Sequence, residues 1–307
     1  MKINLYLITG WIFLFLFHTT AYSTAQEVVS AEVASVDVFP LWFKGDKKQY
    51  LFKSLSEVEG TGDPVKNEEF HIEIEVIQVT KKGYTLKWTQ KMVKVGGKVF
   101  ESGPENSLTI IYSTDFLGNF FRVKNEKEIY KKIERVISAS SGSPGKKSQV
   151  MMKDVHMKGL IEGLLLTNIR SYHLFYGNSF DLEETYKNKI EVPGIFSATP
   201  LDAAIETTLI EMNSQTGEYT VQYKQEVDKY QFAEEVVGIM AKMLNVSGNE
   251  ESTKELNEME ISEMKNEVTI ESRFDRYGWV TELYQVTTIA SEIYTGVKTK
   301  SLTLLEK

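Results

Sequence analysis

His71, Glu73 and Glu75 alternate within FHIEIEV at residues 70–76, and alternate residues of an extended chain project from one face. An imidazole and two carboxylates so arranged could offer nitrogen and oxygen ligands to a metal ion. Phe70, Ile72, Ile74 and Val76 fill the opposite face, however, so the acidic face is expected to be the solvated side of a half-buried strand. No metal site is assigned. Asp154 and His156 stand two residues apart, with His173 further along. A hydrolytic triad would add a serine on a strained turn, yet no G-x-S-x-G occurs, and residues two apart on a helix point to different sides. SSGSPGKKS at 140–148 approaches a phosphate loop, but Ser140 stands where the first glycine belongs and Lys147 displaces the serine. With 43 acidic residues, a carboxylate pair for glycoside chemistry has no sequence signature, because such partners meet only in the fold. No catalytic residue, metal ligand or cofactor is assigned, and the chain is not expected to be an enzyme.

One constellation is chemically distinctive. Methionines 151, 152, 157, 240 and 243, with Phe232 and Trp88, are side chains that adapt to irregular apolar ligands. Trp88, Met152, Met157, Tyr223, Phe232, Val236, Met240 and Met243 are therefore the candidate lining of an apolar pocket. The competing reading is an ordinary core with methionine as gap-filler.

These residues need elements to position them. Residues 70–77 alternate as a strand, TKKGY turns the chain, and Tyr84 to Val95 returns with Leu86, Trp88, Gln90 and Met92 on one face, an antiparallel hairpin. SLTIIYSTDFLGNFFRV then places an Asp-x-x-Gly turn, Asp115 to Gly118, between two short strands. A helix follows, with Asn125 as N-cap, Glu128 as its capping-box partner, and Ile129, Ile133, Val136 and Ile137 as the apolar stripe. A second, Met-rich helix is expected over about 149–170. Further on, Ala204 to Met212 and Tyr219 to Val227 form a hairpin, and a helix spans about 230–244. Strand-like runs cover Val280 to Ile289 and Ile293 to Leu305.

Two stretches recur in order. YTLKWTQKMV at 84–93 is echoed by YTVQYKQEVD at 219–228, and Thr109, Ile110, Asp115 and Gly118 by Thr269, Ile270, Asp275 and Gly278 at the same internal spacing. The fold class expected is α+β: one curved antiparallel sheet built from two pseudo-repeated meanders, about 46–140 and 195–307, joined by a helical linker, with helices packed on the concave face. Two independent domains are the alternative.

The N-terminus has the build of a signal peptide: Lys2, an apolar run from Leu5 to Phe17, and small residues Ser23 and Ala25 before the expected cleavage. The run is shorter than the ~20 residues of a membrane span, so no transmembrane segment is expected after cleavage. Residues 26–307 are read as a single exported domain, periplasmic or extracellular. Lys2 is the only charge in residues 1–25, so cleavage lowers the 35 basic residues to 34 against 43 acidic, a net charge of −9. That balance disfavours nucleic acid and anionic membrane surfaces as partners. The absence of cysteine removes disulfides, thiolate catalysis and sulfur-ligated metals together.

An exported, cysteine-free chain with strands wrapped around helices resembles the half-barrel family of bacterial periplasmic lipoprotein carriers in layout. The resemblance implies a hydrophobic cavity between sheet and helices that accepts an acyl chain, and it transfers no individual residue. The functional expectation is a non-enzymatic envelope protein that binds or carries a hydrophobic, lipid-like ligand. The alternative is a structural or partner-binding envelope protein without a small-molecule ligand.

Overall fold

A computed structural model describes residues 34–59, 66–95, 98–99, 107–140, 166–194, 199–243, 264–291 and 294–305. The alternating stretch around residue 72 behaves as its pattern requires: Ile72, Ile74 and Val76 are buried while His71 faces out. Glu75 on that outer face pairs with Lys47 at 3.4 Å and Lys87 at 3.2 Å, and the hydrogen bond from Lys87 is the main cause that holds its carboxyl below the usual range.

The strands are β1 (Ser35–Asp37), β2 (Lys47–Glu59), β3 (Lys66–Thr80), β4 (Gly83–Val95), β5 (Lys98–Val99), β6 (Ser107–Thr114) and β7 (Phe120–Val123). They continue as β8 (Ser179–Asp181), β9 (Thr185–Pro193), β10 (Pro200–Asn213), β11 (Glu218–Val227), β12 (Lys265–Phe274), β13 (Val280–Ser291) and β14 (Tyr294–Leu304). Three described helices complete the order: α1 (Glu126–Ser140), α2 (Leu166–Tyr172) and α3 (Lys229–Met243).

Twelve strands make one antiparallel sheet in the order β7-β6-β4-β3-β2-β14-β13-β12-β11-β10-β9, with β5 appended to β4. The N-terminal meander and the C-terminal meander lie side by side, and the last strand joins them. β14 pairs with β13 on one side and with β2 on the other, from Leu304 opposite Tyr50 to Thr295 opposite Glu59. β1 and β8 form a separate two-stranded ribbon. Ala34–Lys307 cluster as one compact unit.

The expected α+β class with helices layered on the concave face is corrected by this architecture, which is mostly β. α2 is 7 residues long, and α3 packs in a small cluster of its own with Leu201, Ala203, Val227 and Met264. The dry face of the sheet is filled instead by large aromatic side chains: Tyr50, Trp88, Tyr112 and Phe274 from strands, Tyr172, Phe175 and Tyr176 from α2 and the following turn, and Trp42 from the segment before β2. Each such ring buries a large apolar area, so among the described residues the face is covered mainly by these rings, with the short α2 laid over part of it. Most of the expected helix at 149–170, with its three methionines, lies outside the described residues.

Candidate functional site

Two Asp-x-x-Gly turns stand at the same end of the sheet and are built alike. Asp115 Oδ1 accepts the Asn119 N–H at 2.9 Å, and Asp275 Oδ1 accepts the Tyr277 and Trp279 N–H groups at 2.8 and 2.9 Å. Gly118 and Gly278 close them at φ of 94° and 74°, where a side chain is strained; an added Cβ would also strike Tyr176 and the Phe39 carbonyl respectively.

Behind these turns, α2 delivers a polar core. His173 Nδ1 donates to the Gly118 carbonyl at 2.8 Å, which fixes the proton on Nδ1 and leaves Nε2 to accept from the Tyr112 hydroxyl at 2.9 Å. Burial depresses His173 to about 4, so the imidazole is neutral. Tyr50 and Tyr172 hydroxyls share a hydrogen bond of 3.1 Å, and burial pushes Tyr50, Tyr112 and Tyr176 well above the usual phenol range. Tyr176 donates to the Gly278 carbonyl, tying the second turn to the same core. Every ring nitrogen of His173 is spoken for and buried, so its geometry is that of a structural residue rather than a general base.

Beside this core a solvent-reachable cleft of about 430 Å³ opens. One wall is the segment after α2, through Leu174, Phe175 and Phe180, and the Asn178 amide braces that wall by donating to the Phe175 and Tyr176 carbonyls at 3.1 and 3.2 Å. The floor is sheet. Tyr186, Thr207 and Tyr223 are direct register partners on β9, β10 and β11, so their side chains share one face, and Ile205 lies two residues from Thr207 on that face. Tyr223 donates to Gln225 Oε1 at 3.0 Å and is raised by burial to about 12, so it is an uncharged hydroxyl. Lys187 at the edge is held by Glu206 at 2.6 Å, and that hydrogen bond is the leading cause lowering the glutamate. The cleft therefore presents rings, aliphatic carbon, hydroxyls and amides, with its one lysine already paired.

The register row through Tyr223 continues across the sheet to Ile270, Gln285 and Lys300. α2 lies over it: Ser171 Oγ donates to Gln285 Oε1 at 3.3 Å, and Lys300 Nζ donates to Asn168 Oδ1 at 3.1 Å. Desolvation, with the Lys298 charge second, lowers Lys300 to about 8.

Of the candidate pocket residues, Tyr223 lines the cleft. Trp88 is sealed in the main core edge-on to Tyr172. Phe232 and Val236 belong to the separate cluster beside α3, so the structure does not bring these four together. Met152 and Met157 lie outside the described residues, as do the side chains of Met240 and Met243 on α3. The cleft wall from Leu174 to Phe180 was missed by sequence reasoning, although YHLFYGNSF at 172–180 carries four aromatic residues and contains Gly177, a turn signal. Among the described residues no three His, Asp or Glu side chains gather as a metal site, and no helix is long and apolar enough to cross a membrane.

No family model matches the chain, and no curated protein matches it significantly. Among solved structures, it is similar to an exported protein with a YmcC-like fold from Bacteroides fragilis, at 9% identity and a TM-score of 0.26 over 88% of this chain and 99% of that one.

Proposed function

We propose that this protein is a non-enzymatic binder of a hydrophobic, lipid-like ligand, exported by a signal peptide that ends near Ala25 and acting in the periplasm or outside the cell. The observation that carries the reading is the cleft of about 430 Å³ between the post-α2 segment and strands β9–β11. Its volume falls within the range of small-molecule sites, roughly 300–1,000 Å³, and its lining combines the rings of Phe175, Phe180, Tyr186 and Tyr223 and the aliphatic Leu174 and Ile205 with polar side chains such as Asn178 and Thr207. A paired lysine and neutral tyrosines leave the cleft without a free charge, which favours an acyl or otherwise apolar moiety over an ionic one. The locked His173 and the sealed tyrosine hydroxyls offer no group positioned to attack or protonate a substrate in the cleft.

Native mass spectrometry before and after delipidation tests this reading, together with titration by a fluorescent fatty acid. The expected result is a removable bound mass and saturable uptake. Ile205→Trp fills the cleft from its floor, and uptake should weaken about tenfold while the melting temperature holds. No bound mass and no uptake by the unaltered protein would overturn the proposal.

A further inference from the structure

The segment that leads into β2 alternates in a way its own packing does not require. Val38 and Trp42 are buried at 1% and 3% exposure, while Phe39, Leu41 and Phe43 beside them stand 41%, 48% and 70% exposed. Outward positions of a strap on a water-facing surface are satisfied by any polar residue, yet here all three are large and apolar. The same holds at the tips of the two Asp-x-x-Gly turns. Their central positions accept most residue types, but they carry Phe116 and Leu117 in one and Tyr277 in the other, at 61%, 36% and 45% exposure.

These residues belong to one place. Leu41 N–H donates to the Tyr277 carbonyl at 2.9 Å. Pro40 lies against both turn glycines, 3.0 Å from a Cβ built on Gly118 and 3.1 Å from one built on Gly278. Tyr84 donates to the Pro40 carbonyl at 3.1 Å, and Gly83 abuts the main chain of Thr114 and Asp115, which brings the β3–β4 turn alongside. The result is an exposed apolar cluster formed by a strap and the tips of neighbouring turns.

Asp46, Asp115 and Asp275 accept main-chain N–H groups of their own turns, with Asp46 Oδ2 accepting from Phe43 at 2.8 Å; the neutral donors fix these carboxylates in place and leave their charge, against which the cluster sets four cations. Lys44, Lys81, Lys82 and Arg276 are exposed, and none has a carboxylate partner among the described residues; Arg276 instead stacks over Tyr277 at 4.9 Å. Exposed aromatics ringed by unpaired Lys and Arg match the interface of an anionic bilayer, where rings sit at headgroup level and cations meet phosphate.

We propose that this end of the sheet docks on the surface of an anionic lipid bilayer, inserting Phe43, Leu41, Phe39 and Phe116 shallowly while Lys44, Lys81, Lys82 and Arg276 contact headgroups. A protein carrying net negative charge overall approaches such a surface productively through this end. The docked end is also joined to the cleft. Val38 exchanges hydrogen bonds with the 177–178 turn, donating to the Asn178 carbonyl at 2.9 Å and accepting from Gly177 N–H at 2.8 Å, and Phe175 and Phe180 on either side of that turn line the cleft. Docking and uptake are nevertheless separate properties: the surface stands on its own whatever the cleft holds.

Co-sedimentation of the exported protein, as purified from the cell, with vesicles of phosphatidylcholine with or without phosphatidylglycerol tests the proposal. Binding is expected to phosphatidylglycerol vesicles and to weaken in high salt. Phe43→Ser with Phe116→Ser should reduce it about tenfold, and Lys81→Gln with Lys82→Gln should remove part of the salt-sensitive component alone. All four positions are exposed, so unchanged melting temperatures verify the fold. Three results overturn the proposal: no binding to either vesicle, binding untouched by the tip substitutions (as attachment through residues 5–17 would give), or self-association or capture of a protein partner lost in Phe43→Ser without vesicle binding. Fatty-acid titration in the absence of vesicles reads the cleft independently.

Discussion

His173 shows how a residue that looks like chemistry is turned into structure. Its neutral form satisfies two buried partners, the Gly118 carbonyl and the Tyr112 hydroxyl, and protonation would place a proton on the nitrogen that has to accept. With the folded value near 4 and the unfolded value near 6.5, the unfolded chain binds the extra proton between those limits. Stability is therefore full above about pH 6.5 and is lost progressively as pH falls toward 4, by roughly 3 kcal/mol at the lower end. Urea melts between pH 7 and pH 4.5 should show this slope, and His173→Gln should flatten it while lowering stability at pH 7. A slope unchanged by the substitution would place the acid sensitivity elsewhere.

At the scale of elements, two helix starts carry a capping residue type and use it differently. Asp228 caps α3 as its type suggests, its Oδ1 accepting the Tyr230 and Gln231 N–H groups at 3.0 Å each; Asp228→Ala should cost about 1 kcal/mol. Asn125, expected to cap α1 with Glu128, turns its side chain to β6. Its Oδ1 accepts the Ile111 N–H at 2.8 Å and its Nδ2 donates to the Thr109 carbonyl at 3.0 Å. The amide thereby occupies ladder groups of β6 beyond the reach of the 4-residue β7, so it works as a strand extension. Asn125→Ala should cost about 2 kcal/mol, and hydrogen exchange should show lost protection at Ile111, whereas a lost cap would show first in the opening turn of α1. Asn→Asp separates the two roles further: a cap tolerates the carboxylate, but the donor to Thr109 is gone.

For the whole molecule, the decisive pairing is the last strand with one of the first. β14 unites the two meanders, which the sequence placed in one sheet without showing which strands join them, by pairing residues some 250 positions apart. Leu302 and Lys300 point to the dry face with Phe52 and Ser54 opposite them, so β14 contributes both ladder and core to each half. Thr299, opposite Leu55 and Val286, lies in the middle of this junction. Thr299→Pro removes a ladder N–H from a central strand, where proline is costly by about 3 kcal/mol or more. The expected outcome is loss of hydrogen-exchange protection in β2 and β13 together. Loss confined to β14 would mean that the two meanders hold without it.

The sequence by itself determined what is local and periodic: the alternation of β3 and β4, the paired Asp-x-x-Gly turns, the hairpin of β10 and β11, the final two strands, and the span of α3. Each follows from side-chain alternation, glycine at positive φ, or a capping side chain, all of which act within a few residues. Only the tertiary structure decided which strands meet across the chain, that among the described residues rings rather than long helices cover the dry face, and that Tyr223 reaches a cleft while Trp88 and Phe232 do not. The physical reason is shared by all three. An apolar residue's pattern states that it will be buried, because burial is non-directional; what it is buried against depends on register and topology, which no short window of sequence contains.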